Sequence, residues 1–240
     1  GFRMNRVREI VKASYAHGGM GTRMLPITKI TPKPLIKVHD IPMIETVIQG
    51  LERRKVERIY LVTGYLGNQF SYLAEKYNNI HIIENSQYET VNNISSIYAA
   101  REVLENGADY FICEADLYIE DTGIFDKKLE RSCYFGKMVR GFSEDWIFEQ
   151  NSEGRITRVG KGGNDCYNMV GISFFRSPDA KILKTAIEEA YSVPGFEMLF
   201  WDDVVNDNLD KLDLTVEPVI EGQITEIDTV KELEKMNESR

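Results

Sequence analysis

Between residues 58 and 113 the chain alternates short apolar runs with amphipathic stretches. The runs cover 58–63, 80–84 and 109–113, and stretches with helical spacing of apolar residues cover 42–54, 66–77 and 92–104. Pro42 suits a first helical position, and Thr90 or Asn92 suits a helix cap. Short strands separated by helices read as βαβ units, whose crossovers make the strands parallel and cover both faces of the sheet. The expected fold is therefore α/β, a doubly wound, mostly parallel Rossmann-like sheet that binds ligands beyond the carboxyl ends of its strands. From residue 132 the pattern changes. Segments 134–142, 146–150, 155–159 and 169–175 read as strands, with Asn151-Ser-Glu-Gly154 as a hairpin turn whose glycine supplies a positive φ. This is a small antiparallel excursion in the second half, followed by helices over 178–191 and 196–209. Residues 4–11 read as an opening helix and 12–17 as the first strand.

With no internal repeat, low-complexity tract or linker, 240 residues fit one domain, 1–240. Lys and Arg number 29 against 38 Asp and Glu, a net charge of −9, so holding nucleic acid by bulk charge is excluded. Phosphate chemistry must rest on a few placed cations. No apolar run approaches the roughly 20 residues of a membrane span, and the charged opening is unlike a secretory signal, so a cytoplasmic protein without membrane insertion is expected. Cys113, Cys133 and Cys166 are too few and too far apart for a disulfide framework or a zinc cluster and read as reduced, buried thiols. Residues 1–3, ahead of Met4, read as an added remnant, and a fused partner domain is left open.

The densest chemistry lies in Gly18-Gly-Met-Gly-Thr-Arg-Met-Leu-Pro-Ile-Thr-Lys-Ile-Thr-Pro-Lys-Pro-Leu35. Glycines let backbone N–H groups approach phosphate oxygens, while Arg23 and Lys33 supply positive charge. Pro32 and Pro34 restrict the backbone around Lys33. The string is neither a P-loop nor a G-x-G-x-x-G fingerprint, which argues against a dinucleotide-dependent redox domain.

G-x-G-x-R followed by P-K-P-L and a helix resembles the signature of the nucleotidyltransferases that activate sugar phosphates and aminoalcohol phosphates. The resemblance implies that Gly18, Gly19, Met20, Gly21 and Thr22 grip a nucleoside triphosphate together with Arg23 and Lys33. It makes Asp116, in Glu114-Ala-Asp116, and Asp228, in Thr225-Glu-Ile-Asp228, the ligands of a Mg²⁺ ion, a hard-oxygen pair suited to that metal. Each aspartate taken alone also suits a turn or a cap, and the pair requires a fold that brings two strand ends to one edge, as a doubly wound sheet does. Lys161 is similar to the lysine that grips the acceptor's phosphate, so Arg23, Lys33 and Lys161 are the implied catalytic cations, although Gly160 stands where the family usually has glutamate. Ala115 and the segment holding Tyr88, Asn93 and Ser95 resemble nucleoside-contacting positions. The implied halves are 12–131 for the nucleotide and 132–240 for the acceptor.

Trp146 and Trp201 are flanked by Asp145, Asp202 and Asp203, and aromatic faces beside carboxylates suit alkylammonium groups. This pattern, with the strings over 62–70, 92–98 and 201–208, resembles the bacterial cytidylyltransferases for choline phosphate and for 2-aminoethylphosphonate. The acceptor contacts implied are Trp146, Lys161, Trp201 and Asp203, and the partners are CTP and a small amine-bearing phosphate or phosphonate. The sequence does not choose between the two acceptors, nor does it fix an oligomer. A sugar-1-phosphate nucleotidyltransferase and a non-catalytic nucleotide-binding domain are the alternatives. The second is motivated by a departure from the family: Lys12-Ala-Ser-Tyr-Ala-His17 replaces a continuous apolar strand, so Ser14 and His17 are expected to need buried hydrogen-bond partners.

Overall fold

The computed structural model describes residues 6–12, 22–104 and 107–239, the first of these segments by its backbone. In chain order the elements are β1 (Arg6–Lys12), β2 (Lys37–Val38), β3 (Ile41–Pro42), α1 (Met43–Arg53), β4 (Arg58–Thr63), α2 (Ser71–Lys76), β5 (Ile80–Glu84), α3 (Ile94–Ala99), β6 (Ala108–Glu114), β7 (Leu117–Ile119), β8 (Ser132–Gln150), β9 (Ile156–Phe175), α4 (Ser177–Ala190), α5 (Trp201–Asp207), β10 (Leu214–Val219), β11 (Ile224–Glu226) and α6 (Val230–Glu238). A seven-stranded sheet runs β10-β8-β9-β6-β1-β4-β5. The strands β6, β1, β4 and β5 are parallel neighbours, as the βαβ grammar requires, and β9 joins β6 antiparallel.

Alternation along β6 shows why both faces must be covered. Phe111 and Cys113 enter the core formed with Val47 and Leu51 of α1 and Leu73 of α2. Tyr110 and Ile112 enter the opposite core with Ile97 of α3, Leu183 of α4 and Val204 of α5. Removing each such large apolar side chain from water contributes about 1.5–3 kcal/mol, which a one-faced sheet would forfeit on half its residues. Among the described residues no helix is long and apolar enough to cross a membrane.

Two expectations are corrected, and a third lies outside the described residues. The opening helix over 4–11 is instead β1 across Arg6–Lys12, with Ile10 aligned to Tyr60 of β4 and to Ile112 of β6. Val7, Ile10 and Val11 have the spacing of a helical stripe, but only an extended chain can satisfy two backbone ladders at once, so tertiary pairing overrides the local pattern. Of the strand expected over 12–17 only Lys12, the last residue of β1, is described, and Ser14, His17, Gly18, Gly19, Met20 and Gly21 lie outside the described residues. The antiparallel excursion is larger than expected: the four short strands read from sequence fuse into β8 and β9, whose register shifts at several bulges. The Asn151–Gly154 turn joins them, with Gly154 at φ 81° and Asn151 accepting backbone bonds from Glu153 and Arg155. Edge strand β10, parallel to β8, has no counterpart in the sequence reading.

Candidate active site

The two aspartates read as metal ligands are brought together by a short ladder outside the main sheet. Asp116 directly precedes β7, and β11 pairs antiparallel with β7 so that Glu226 faces Leu117. Asp228, two residues past the end of β11, therefore returns beside Asp116. Thr229 then caps α6, its hydroxyl accepting from the Glu232 N–H. The doubly wound sheet supplies the Asp116 edge only, and the β7–β11 ladder supplies the meeting.

Lys33 closes the cluster. A short turn over Lys33–Leu35, preceded by Pro32 in an extended conformation, carries its ammonium to 3.0 Å from Asp116 Oδ2 and 2.9 Å from Asp228 Oδ1. The side chain is nearly enclosed, with the residue 8% exposed. Burial alone would lower its proton affinity, but the charges of Asp116 and Asp228 and their hydrogen bonds prevail and hold it well above the usual lysine range. Arg23 approaches Asp228 at 3.4 Å while its side chain stays 70% exposed, free to meet a ligand. Glu226 adds a third carboxylate. Crowding by the walls of the cleft and then the charges of Asp116 and Asp228 push its carboxyl up to about 7, against the opposing pull of Lys33. Its side chain still keeps exposed surface toward the cavity, so the local excess of negative charge carries more weight here than burial.

Lys33, Asp116, Glu226 and Asp228 line one end of a cavity of about 500 Å³. Glu114, Lys137, Asp145, Trp146, Asn168 and Gly171 line the rest. Gly171 has φ 95°, and a Cβ there would meet Leu117 Cδ1 at 3.0 Å and Glu114 Cγ at 3.1 Å, so only glycine lets β9 pass this close to the end of β6. Lys161 is the cross-strand partner of Trp146 and lies over its ring. The structure thus brings Arg23, Lys33, Asp116 and Asp228 into one cluster, and Trp146 with Lys161 into another beside the same cleft.

The remaining site residues fall elsewhere. Trp201 is 3% exposed and stacks on Tyr134 at 5.9 Å in the core, so its expected acceptor role is corrected to packing, with only a minor recess beneath the cleft touching it. Asp203 Oδ2 accepts the Phe200 N–H at 2.9 Å, closing the first turn of α5, so it caps a helix where an acceptor contact was expected. The flanking Asp202 is buried and accepts from the Tyr134 hydroxyl. Ser95 is buried and accepts from Asn85 Nδ2, Ala115 is fully buried, and Asn93 Oδ1 accepts the Trp201 N–H at 2.8 Å. Those three side chains hold the scaffold together, and none lines the cavity. Tyr88 packs against Gly64, where an added Cβ would stand 2.7 Å away, and its hydroxyl donates to Glu89. Sequence reasoning missed Glu226, Glu114 and Lys137. Glu226 was signalled by its i, i+2 spacing to Asp228, which puts alternate residues of an extended strand on one face.

Asp116 and Asp228, which both meet the Lys33 ammonium, carry the hard oxygens that Mg²⁺ prefers, and with Glu226 beside them three carboxylates face a single buried lysine. Among the described residues no group of three or more His, Cys, Asp or Glu is placed to hold a metal. The residues therefore fit an ion that takes its other ligands from substrate phosphates and water.

Known proteins share both the sequence and the fold. Residues 16–132 match the family model for nucleotidyl transferases. The chain is 55% identical over 215 residues to a 2-aminoethylphosphonate cytidylyltransferase of Lancefieldella rimae, covering 90% of this chain and 87% of that one. It is 30% identical over 214 residues to a choline-phosphate cytidylyltransferase of Haemophilus influenzae, covering 88% and 90%. A solved structure of the CTP:phosphocholine cytidylyltransferase of Streptococcus pneumoniae superposes with a TM-score of 0.86 at 32% identity, covering 97% of this chain and 98% of that one. With sequence and fold shared along nearly its whole length, the chain is a nucleotidyltransferase and belongs to the nucleotidyl transferase family.

Proposed function

We propose that this enzyme transfers CMP from CTP to 2-aminoethylphosphonate, releasing pyrophosphate. The observation that carries the reading is the identity with the Lancefieldella rimae protein, shared along nearly all of both chains. The acceptor's phosphonate oxygen attacks the α-phosphorus of CTP, a new P–O bond forms, and the bond to the β-phosphate oxygen breaks with its electron pair leaving on pyrophosphate. The attacking oxygen is already anionic near neutral pH, so no strong general base is required. Positioning and charge stabilisation remain the tasks of the protein.

Asp116 and Asp228 would hold Mg²⁺, which when bound neutralises charge on the triphosphate. Lys33, fixed between those carboxylates, and the exposed Arg23 face the leaving pyrophosphate. Lys137, which lines the same cavity, supplies positive charge toward the acceptor's phosphorus oxygens. CTP is a membrane-impermeant polyanion, so the reading implies a cytoplasmic enzyme.

The test is pyrophosphate release with CTP and Mg²⁺ against 2-aminoethylphosphonate, ethanolamine phosphate, choline phosphate and glucose-1-phosphate. Preferred turnover of 2-aminoethylphosphonate, abolished by chelation and restored by Mg²⁺, is the expected result. Preference for glucose-1-phosphate would make the chain a sugar-phosphate enzyme. CTP binding without turnover of any acceptor would make it a nucleotide-binding domain.

A further inference from the structure

Beside the cleft, Phe200, just ahead of α5, meets Trp146 edge to face with ring centroids 5.4 Å apart and planes inclined at 69°. Into this corner the protein places a cation of its own. The Lys161 ammonium lies 5.8 Å from the centroid of Trp146 and 5.2 Å from that of Phe200. Both distances fall within the roughly 6 Å over which a ring face attracts a cation. No described carboxylate forms an ion pair with Lys161, so the rings are its partners.

The backbone beneath Lys161 is built to present it. The Arg158 guanidinium donates to the Lys161 carbonyl at 2.8 Å and the Gly162 carbonyl at 3.0 Å, and is itself paired with Glu149 at 3.0 Å. Gly160 leaves room for this clamp: a Cβ there would stand 3.3 Å from Arg158 Nε. The glycine that departs from the expected glutamate thus serves the placement of the lysine that follows it.

An aromatic corner already holding one cation is a poor site for a second, which must either displace the first or meet its charge. A quaternary ammonium has no N–H and depends on ring faces, whereas a primary ammonium donates three hydrogen bonds and is better served by carboxylates. The cavity that Trp146 borders also offers Glu114 and Asp145. We propose that Lys161 is a specificity-determining residue: its own ammonium fills the Trp146–Phe200 corner, excludes quaternary ammonium acceptors, and leaves a primary amine to the acidic wall. The inference rests on the cytidylyl-transfer reading for the reaction it biases, but its binding geometry can be tested without that reaction.

Two measurements decide it. The first is the ratio of kcat/KM for choline phosphate to that for 2-aminoethylphosphonate in the wild type, Lys161→Met, Lys161→Gln and Lys161→Arg. The ratio should rise about two- to fivefold in the Met and Gln variants, chiefly through a lower KM for choline phosphate, the size expected of a cation–π contact at a solvent-exposed site. Lys161→Arg, whose guanidinium also stacks on rings, should stay near the wild-type ratio. An equal loss with both acceptors would overturn the proposal, because Lys161 would then grip only the phosphorus oxygens they share. A wild-type preference for choline phosphate would overturn it as well. The second measurement is a tryptophan-fluorescence titration with tetramethylammonium chloride against a sodium chloride control. Saturable quenching should appear in Lys161→Met and be absent from the wild type, and equal titrations would overturn the proposal. If no acceptor turns over, the functional reading fails while this titration still decides the role of Lys161.

Discussion

Lys33 and Lys161 flank one cleft in opposite settings. Lys33 is nearly enclosed and donates to two carboxylates contributed by residues 83 and 195 positions away. Lys161 is exposed, and its neighbours are the rings of its own cross-strand partner and of Phe200. The first arrangement fixes a charge by fold-wide convergence, so its loss leaves like-charged aspartates facing each other. The second holds a charge by local register in a way that another cation can contest. On the proposed reading, the Lys33 end serves phosphate transfer and the Lys161 end the choice of acceptor.

The largest expected effect tests the committed end. Lys33→Ala and Asp116→Ala should each lower turnover on the order of a hundredfold or more, as removal of one preorganised electrostatic group does. Steady-state pyrophosphate release measures this, and near-normal turnover in either variant would remove that residue from the mechanism and break the contrast with Lys161.

The two tryptophans sharpen the comparison next. Trp201 stacks on Tyr134 and meets Phe175 edge to face, whereas Trp146 borders the cavity. Trp201→Leu should cost about 2–4 kcal/mol of stability through lost packing, read as a lower midpoint in urea. Trp146→Leu should cost less stability and act mainly on acceptor KM. Equal destabilisation by both would show that Trp146 is also a core residue.

Glu45 provides a buried charge remote from any proposed ligand. It is 4% exposed and accepts from Lys76 Nζ at 2.6 Å, Tyr77 at 2.9 Å and Tyr72 at 3.2 Å. Burial would raise its pKa, but the hydrogen bond from Lys76, then those from the tyrosines and the Lys76 charge, hold it below the usual carboxylate value. A depressed folded pKa gives stability that is fully present above the unfolded value and is lost as pH falls through the folded one. Because Lys76 is largely solvated, Glu45→Gln should cost only about 1–2 kcal/mol at neutral pH. Thermal melts of the two proteins should converge on acidification below the ordinary carboxylate range. A gap that persists there would assign the effect to shape alone.

Local pattern made much of the fold legible. The runs over 58–63 and 80–84 became β4 and β5 without a change of bounds, and the helix over 42–54 became α1 with one residue trimmed at each end. What failed were the elements whose reason lies far away in the chain. β1 exists because β4 and β6 leave a slot between them, and β7 and β11 are three-residue strands that exist only through each other. The identities of Lys33, Asp116 and Asp228 could be read from their motif strings, but their ion triad could not, since it depends on the β7–β11 ladder. Trp201 and Asp203 were misread for a different reason. An aromatic beside a carboxylate says nothing about which way either side chain points, and here the start of a helix turned one residue into the core and the other onto the backbone.

That misreading supplies the smallest and most discriminating test. Asp203 Oδ2 accepts the Phe200 N–H, and the Asp203 N–H bonds back to the Phe200 carbonyl, a reciprocal closure of the first turn of α5. Removing a capping group of this kind costs about 1 kcal/mol, which for a domain of this size lowers Tm by roughly 2–4 °C. Asp203→Ala should therefore melt slightly earlier. It should also keep its KM for the acceptor, because no part of the Asp203 side chain borders the cavity. Phe200, which this turn positions, forms one wall of the Lys161 corner, so any change should appear in the choline phosphate ratio and leave 2-aminoethylphosphonate alone. A tenfold rise in KM for 2-aminoethylphosphonate, with Tm unchanged, would return Asp203 to the acceptor site and shift the boundary between scaffold and cleft drawn here.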